Sequence, residues 1–156
     1  MRQSERILIV ALFLAATLAC AFGQEPIAVA VNSKNPVNNL NMSDLRDIFE
    51  CDRTTWTSGD RIVLFSRMSN TPEYAVMLKS IYRMTESDYR QYWVMRQVRG
   101  ESSCKATELP SRGITRDALR MYPGAIALIR LSEVMPDMKV ISVQGKRPDD
   151  PGYPLR

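Results

Sequence analysis

The chain of 156 residues contains no histidine. That removes Ser-His-Asp and Cys-His nucleophilic catalysis, and every metal site that needs an imidazole. There is no glycine-rich nucleotide loop, no metal-ligand cluster, no internal repeat and no low-complexity region. Charge of one sign is also scarce. Twenty-one Lys and Arg against seventeen Asp and Glu leave a formal net charge of +4, and the basic residues form no run, so the footprint of a nucleic-acid binder is missing. Long apolar runs are missing too. Ile7 to Ala19 spans 13 residues, short of the roughly 20 that a spanning helix needs. These absences point away from an enzyme, a cofactor protein, a nucleic-acid partner and a stable membrane span. The carboxylates Asp44, Asp47, Glu50 and Asp52, close in sequence, read as a solvated helix face with a charge near its end.

Cysteine is sparse, with three in all, and the first of them falls in a segment read as targeting. Arg2 and Arg6 precede the apolar run, and Ala19-Cys20-Ala21 and Ala21-Phe22-Gly23 both follow the small-x-small cleavage pattern. Residues 1–23 therefore read as a secretory signal peptide, which sends the mature protein to the periplasm or beyond. A lipoprotein anchored at Cys20 is the alternative, although Thr17-Leu18-Ala19 makes a poor lipobox. Removal of the segment leaves Cys51 and Cys104. An even pair in an exported protein is a candidate disulfide. Two separate thiols remain the other reading, because sequence does not place two Cα atoms within bridging distance.

What is present is ordinary for a globular chain: 45% hydrophobic and 24% charged residues, with one domain expected over residues 24–143. Short apolar runs at Pro26–Val31, Ile62–Phe65, Ala125–Leu131 and Met138–Val143 read as strands. Between them lie helical patterns. One is capped by Ser43 and turns Leu45, Ile48 and Phe49 inward. A second runs from Pro72 to about Arg83, with Tyr74, Met77, Leu78 and Ile81 on one stripe. A third is opened by Thr85 and Asp88 as a capping box and carries Tyr89, Tyr92, Trp93 and Met95. The last covers Thr115–Tyr122 and stops at Pro123-Gly124. Arg99 to Arg112 reads as a polar, irregular loop, and Trp56 as a loop residue tucked onto the core. The segment Gln144–Arg156, with three prolines and two glycines, reads as an extended surface tail. Strands alternating with helices indicate an α/β fold with helices on both faces of the sheet.

Within that pattern the segment Arg61–Leu78 stands out. An apolar strand breaks at Ser66-Arg67-Met68-Ser69-Asn70 and enters a helix at Thr71-Pro72-Glu73. Thr71 is a good N-cap, and Pro72 suits the first helical position. Ligands of α/β sheets bind where strands lead into helices, which singles out the Arg67–Thr71 turn as an oxyanion seat. A well-capped helix after a strand is the plainer reading.

The ordered segments IAVAVNSKNPVNNL, LRDIFECDRTTWTSGDRIVLFSR, YW and PGAIAL resemble the periplasmic phosphate-binding proteins of ABC importers. The chain is most similar to the short, single-domain members of that PBP-like superfamily, and the resemblance covers Pro26–Val143. It implies a single periplasmic-binding-protein-like lobe with a mixed sheet, no cofactor, and phosphate or a similar oxyanion as ligand. It also implies an ABC-transporter or other envelope partner. Carried over residue by residue, Arg67 matches the family's arginine after a strand. Thr71 matches the hydroxyl that begins the helix, with Asn70 just before it and Ser69 as an extra donor. Three features depart from the pattern. The first lobe's phosphate loop has no counterpart, Pro72 removes a backbone N–H, and Glu73 places a negative charge beside the anion's expected position. An envelope accessory or interaction protein on the same fold, without ligand binding, is the alternative. Intact mass of protein from the envelope fraction should show a chain that begins near Gln24. A mass retaining residues 1–19 would contradict the processed start, and a lipid-modified Cys20 would support the anchored form.

Overall fold

The computed structural model describes residues 24–101, 104 and 106–156, so the expected signal peptide lies outside the described residues. Strand β1 (Ile27–Val31) is buried along its whole length. It lies in a six-stranded sheet with β2 (Asn39–Leu40), β3 (Val63–Arg67), β4 (Thr107–Leu109), β5 (Ala125–Arg130) and β6 (Lys139–Val143), in the order β2-β6-β1-β5-β3-β4. β1 pairs antiparallel with β5, Val29 opposite Leu128, and with β6, Val29 opposite Ile141. β3 pairs parallel with β5, Leu64 opposite Ile126, and with β4, Ser66 opposite Glu108. β2 runs parallel to β6. The sheet is thus mixed, with β1 alone running against the rest.

Alternate residues of the strands face two apolar layers. Val29, Leu64, Ile126, Leu128 and Ile141 join Ile48, Phe49, Met77 and Ile81 on one face. Ala28, Ala30, Phe65, Ala127 and Ile129 join Leu119 on the other. Helices cover both faces, as the alternation of elements predicts. The first face receives α1 (Met42–Phe49) and α2 (Pro72–Val76), the latter widening into a π-helical turn at Met77–Tyr82. It also receives part of α3 (Glu86–Val98), whose Tyr89, Tyr92 and Trp93 pack against it. The second face receives α4 (Arg112–Met121).

Local chemistry explains the helix starts. At α2, Thr71 Oγ1 accepts the Tyr74 N–H at 3.4 Å and Pro72 takes the first position. The stripe Tyr74, Met77, Leu78 and Ile81 is buried as expected. At α3, Thr85 Oγ1 accepts the Asp88 N–H at 3.2 Å, completing the expected capping box. α1 starts earlier than predicted: its cap is Asn41 rather than Ser43, because Asp44 is placed to accept the Asn41 N–H at 3.1 Å. α4 also starts earlier, at Arg112, because Ser111 Oγ accepts the Ile114 N–H at 3.3 Å. On α3, Tyr89, Tyr92 and Trp93 are half-buried, but Met95 is exposed. At 3.6 residues per turn Met95 falls about 120° from the centre of that stripe. Arg96 occupies the stripe instead, over the rings of Tyr92 and Trp93 at 5.6 and 5.9 Å and paired with Asp52 at 2.9 Å.

Two expected loops carry more structure than their composition indicates. The stretch Arg99–Arg112 contains β4, whose pairing with β3 supplies the order its own polar residues do not. The tail leaves the surface at its end. Tyr153 and Leu155 are buried, the Ile27 N–H donates to the Leu155 carbonyl at 2.9 Å, and the Tyr153 hydroxyl donates to the Ile27 carbonyl at 3.0 Å.

Cys51 and Cys104 form a disulfide with Cα atoms 5.9 Å apart and a sequence separation of 53. In the chain-entropy view such a loop stabilises by about 4 kcal/mol. Trp56 is buried, and its indole N–H donates to the Gly124 carbonyl at 3.0 Å, so it is the tucked loop residue expected. Gly124 is pressed against the chain entering β3: a Cβ there would meet the Arg61 carbonyl oxygen at 1.8 Å. The obstacle is backbone and cannot rotate aside. Gly124→Ala should therefore lower stability by about 3 kcal/mol, the upper end of overpacking costs. Urea denaturation checks this, and an unchanged midpoint would contradict it.

Candidate anion site

β3 and β5 are parallel neighbours in register, Phe65 opposite Ala127, and each apolar run ends on an arginine. Continued along the strands, that register sets Arg67 beside Ile129, so Arg67 and Arg130 leave the carboxyl edge of the sheet one residue out of step and meet at Glu73. Arg67 is 8% exposed, and a charge so far out of water needs partners. Its Nη1 donates to Thr115 Oγ1 of α4 at 3.4 Å, and that hydroxyl donates onward to the Ser111 carbonyl at 2.9 Å.

The principal partner comes from α2. Glu73, in the first turn after the Thr71 cap, is 1% exposed. Its Oε1 lies 3.9 Å from Arg67 Nε and 3.6 Å from Arg130 Nε. Arg130 is about one-third exposed and also donates through Nη2 to Glu133, in the single turn Leu131–Glu133 after β5. Two guanidinium groups and two carboxylates balance, so the cluster is neutral as a unit. Its hydrogen bonding is incomplete. Arg67 Nε, Arg130 Nε and both Glu73 oxygens are buried without a hydrogen-bond partner among the described residues. The two Glu73 ion-pair distances exceed hydrogen-bonding reach.

Arg130 also lines a cleft of about 260 Å³, with Gln24, Glu25, Pro72, Val76 and Lys79. Glu25 is held there by the Ser132 N–H at 2.6 Å, and the Ser132 contacts keep its carboxyl below the ordinary carboxylate range. Among the described residues there is no group of three or more His, Cys, Asp or Glu able to hold a metal, and no helix long and apolar enough to cross a membrane.

The four residues expected to bind an anion are not gathered into one surface. Arg67 turns into the buried cluster. Thr71 spends its hydroxyl on the cap, accepting from Tyr74 and donating to the Met68 carbonyl at 2.8 Å. Asn70 is exposed. Ser69 lines a different groove, about 710 Å³, with Tyr74, Tyr89, Trp93 and Glu108. Edge-on contacts join Tyr74 to Tyr89 at 6.0 Å and Tyr89 to Trp93 at 6.2 Å. Burial pushes the Tyr89 phenol up. Sequence reasoning missed Arg130 and Thr115. The first had a visible signal: IVLFSR and AIALIR are both apolar strands that finish on arginine. Thr115 had none, because its role depends on where α4 crosses the sheet.

No protein-family model matches the sequence, and no curated protein matches it. Solved structures do. An ABC-type phosphate transport receptor from Vibrio cholerae superposes with a TM-score of 0.64 and 18% identity, over 80% of this chain and 48% of that one. A putative phosphate ABC transporter substrate-binding protein with bound phosphate, from Clostridium perfringens, gives 0.62 and 18%, over 78% and 46%. PstS from Borrelia burgdorferi gives 0.63 and 14%, over 84% and 54%. The chain thus has a periplasmic-binding-protein-like fold and spans about half the length of the receptors it matches. Because the Glu73 carboxylate is enclosed by two guanidinium groups, Glu73→Ala should leave buried positive charge uncompensated. The loss expected from breaking such a pair is about 3–5 kcal/mol, read from urea denaturation; a change below 1 kcal/mol would show that the carboxylate does not hold the cluster.

Proposed function

We propose that the protein is an exported, non-enzymatic solute-binding module that takes phosphate or a similar small oxyanion at the carboxyl edge of its sheet. One observation carries this reading. Two arginines from adjacent parallel strands aim Nε donors at one buried point, and those donors have no hydrogen-bond partner among the described residues. Guanidinium-to-oxyanion bonds are charge-assisted and can be bidentate, so such a pair can dominate a small site. Arg67 is the main contact. Arg130 is the second contact. Ser69, Asn70 and Thr71 become further donors only when the turn before α2 rearranges, with the Thr71 hydroxyl exchanging its Met68 carbonyl for the ligand. The likeness to receptors named for phosphate transport supports the ligand class. The Cys51–Cys104 disulfide suits an oxidising compartment such as the periplasm. An ABC transporter or another envelope protein is the proposed partner.

Thermal melting at low ionic strength, with phosphate and with sulfate, tests the ligand class. Millimolar phosphate should raise the melting temperature of the parent protein and leave Arg67→Ala unmoved. Loss of a hydrogen bond to a charged group amounts to about 1.5–3 kcal/mol, or roughly ten- to a hundredfold in affinity. A parent protein that neither anion stabilises would overturn the oxyanion reading in favour of an envelope accessory module that has lost ligand binding.

A further inference from the structure

We infer that Glu73 is a built-in occupant of the arginine pair: its carboxylate holds the place of an external oxyanion, and an oxyanion enters by displacing it. The ligand class rests on the oxyanion reading above; the occupancy rests on geometry. Glu73 Oε1 is within 4 Å of the Nε atoms of both Arg67 and Arg130, and the residue is 1% exposed. A side-chain carboxylate and an oxyanion offer the same chemistry to a guanidinium, two or more oxygens sharing negative charge.

The fit is incomplete, which allows displacement. Both Glu73 oxygens and both facing Nε atoms lack hydrogen-bond partners among the described residues, so the carboxylate supplies charge without direct bonds. A free anion is untethered and can approach each donor to bonding distance. Entry is from the Arg130 side, where the guanidinium borders the cleft of about 260 Å³ that Lys79 also lines. The charge count favours the same outcome. Arg67 and Arg130 are already balanced by Glu73 and Glu133. An arriving anion makes the cluster negative unless Glu73 withdraws, whereas without the Glu73 charge the cluster carries one unbalanced positive charge and attracts an anion.

Glu73→Gln keeps the shape and removes the charge. Isothermal titration with inorganic phosphate at fixed ionic strength should show it binding at least tenfold tighter than the parent, and Glu73→Gln/Arg67→Ala should lose that gain. Folded Glu73→Gln that binds phosphate no tighter than the parent overturns the inference. Glu73→Ala provides a second readout. Its melting temperature should rise with formate and with phosphate but not with chloride at equal ionic strength; equal responses to all three, or a chain that stays unfolded in formate, overturn the inference. The two readings fail separately. A parent that binds phosphate through Arg67 without tightening in Glu73→Gln keeps the proposed function and loses the occupant. A parent that ignores phosphate beside a Glu73→Gln that binds it keeps the occupant and loses the proposed function.

Discussion

A strand whose five consecutive residues all have zero exposure cannot exist alone, and β1 is such a strand. Its two edges must be hydrogen-bonded and its two faces covered. Each requirement is met by a different part of the chain. β5 and β6 take the edges, α1 and the Met77–Tyr82 turn lie over one apolar layer, and α4 lies over the other. Even the first amide of β1 has its partner in the Leu155 carbonyl. The remaining elements are arranged around that burial, and because β1 alone is antiparallel, its start shares an edge with the ends of β3 and β5. That edge is where the two arginines emerge.

Electrostatics at that edge follows from desolvation. A guanidinium as enclosed as Arg67 is unfavourable without an anion nearby, and the chain provides one in the first turn of α2. The separations of 3.6 and 3.9 Å are long enough to leave the polar atoms unbonded and short enough for strong attraction in a poorly screened setting. A buried pair of this kind adds little net stability over an apolar equivalent, yet losing one member is severe. Such an arrangement is better suited to holding charge in a set place than to strengthening the fold.

How much of this was legible in the sequence depends on whether the cause is local. The Thr71 cap, the Thr85–Asp88 box and the stripe Tyr74, Met77, Leu78 and Ile81 are set by neighbours within a few residues, and the structure has them as read. The fold class followed from the alternation of strands and helices, and the likeness to solved phosphate receptors agrees with it. The misses share a nonlocal cause. β4 is a strand because β3 offers it an edge, and the tail is ordered because β1 needs its last residues. The start of α1 is the exception, a local choice in which Asp44 reaches Asn41 and Ser43 loses the cap. At the site, Arg67 and Glu73 are close in sequence and both were noticed. Arg130 lies 63 positions after Arg67, and only the parallel pairing of β3 with β5 brings them together.

The register of β1 bears on how this chain is made. Ile27 pairs with Arg130, about a hundred residues downstream. A polypeptide delivered amino end first must therefore carry its most apolar strand unpaired until nearly all of the later sequence has arrived. No early hairpin can shelter it, since both of its sheet neighbours come late. Closing such long loops first and gaining contacts afterwards makes folding slow. Meanwhile the exposed strand is a target for holding factors or for mispairing with other chains. The sheet can close around β1 only once the final third of the sequence is present.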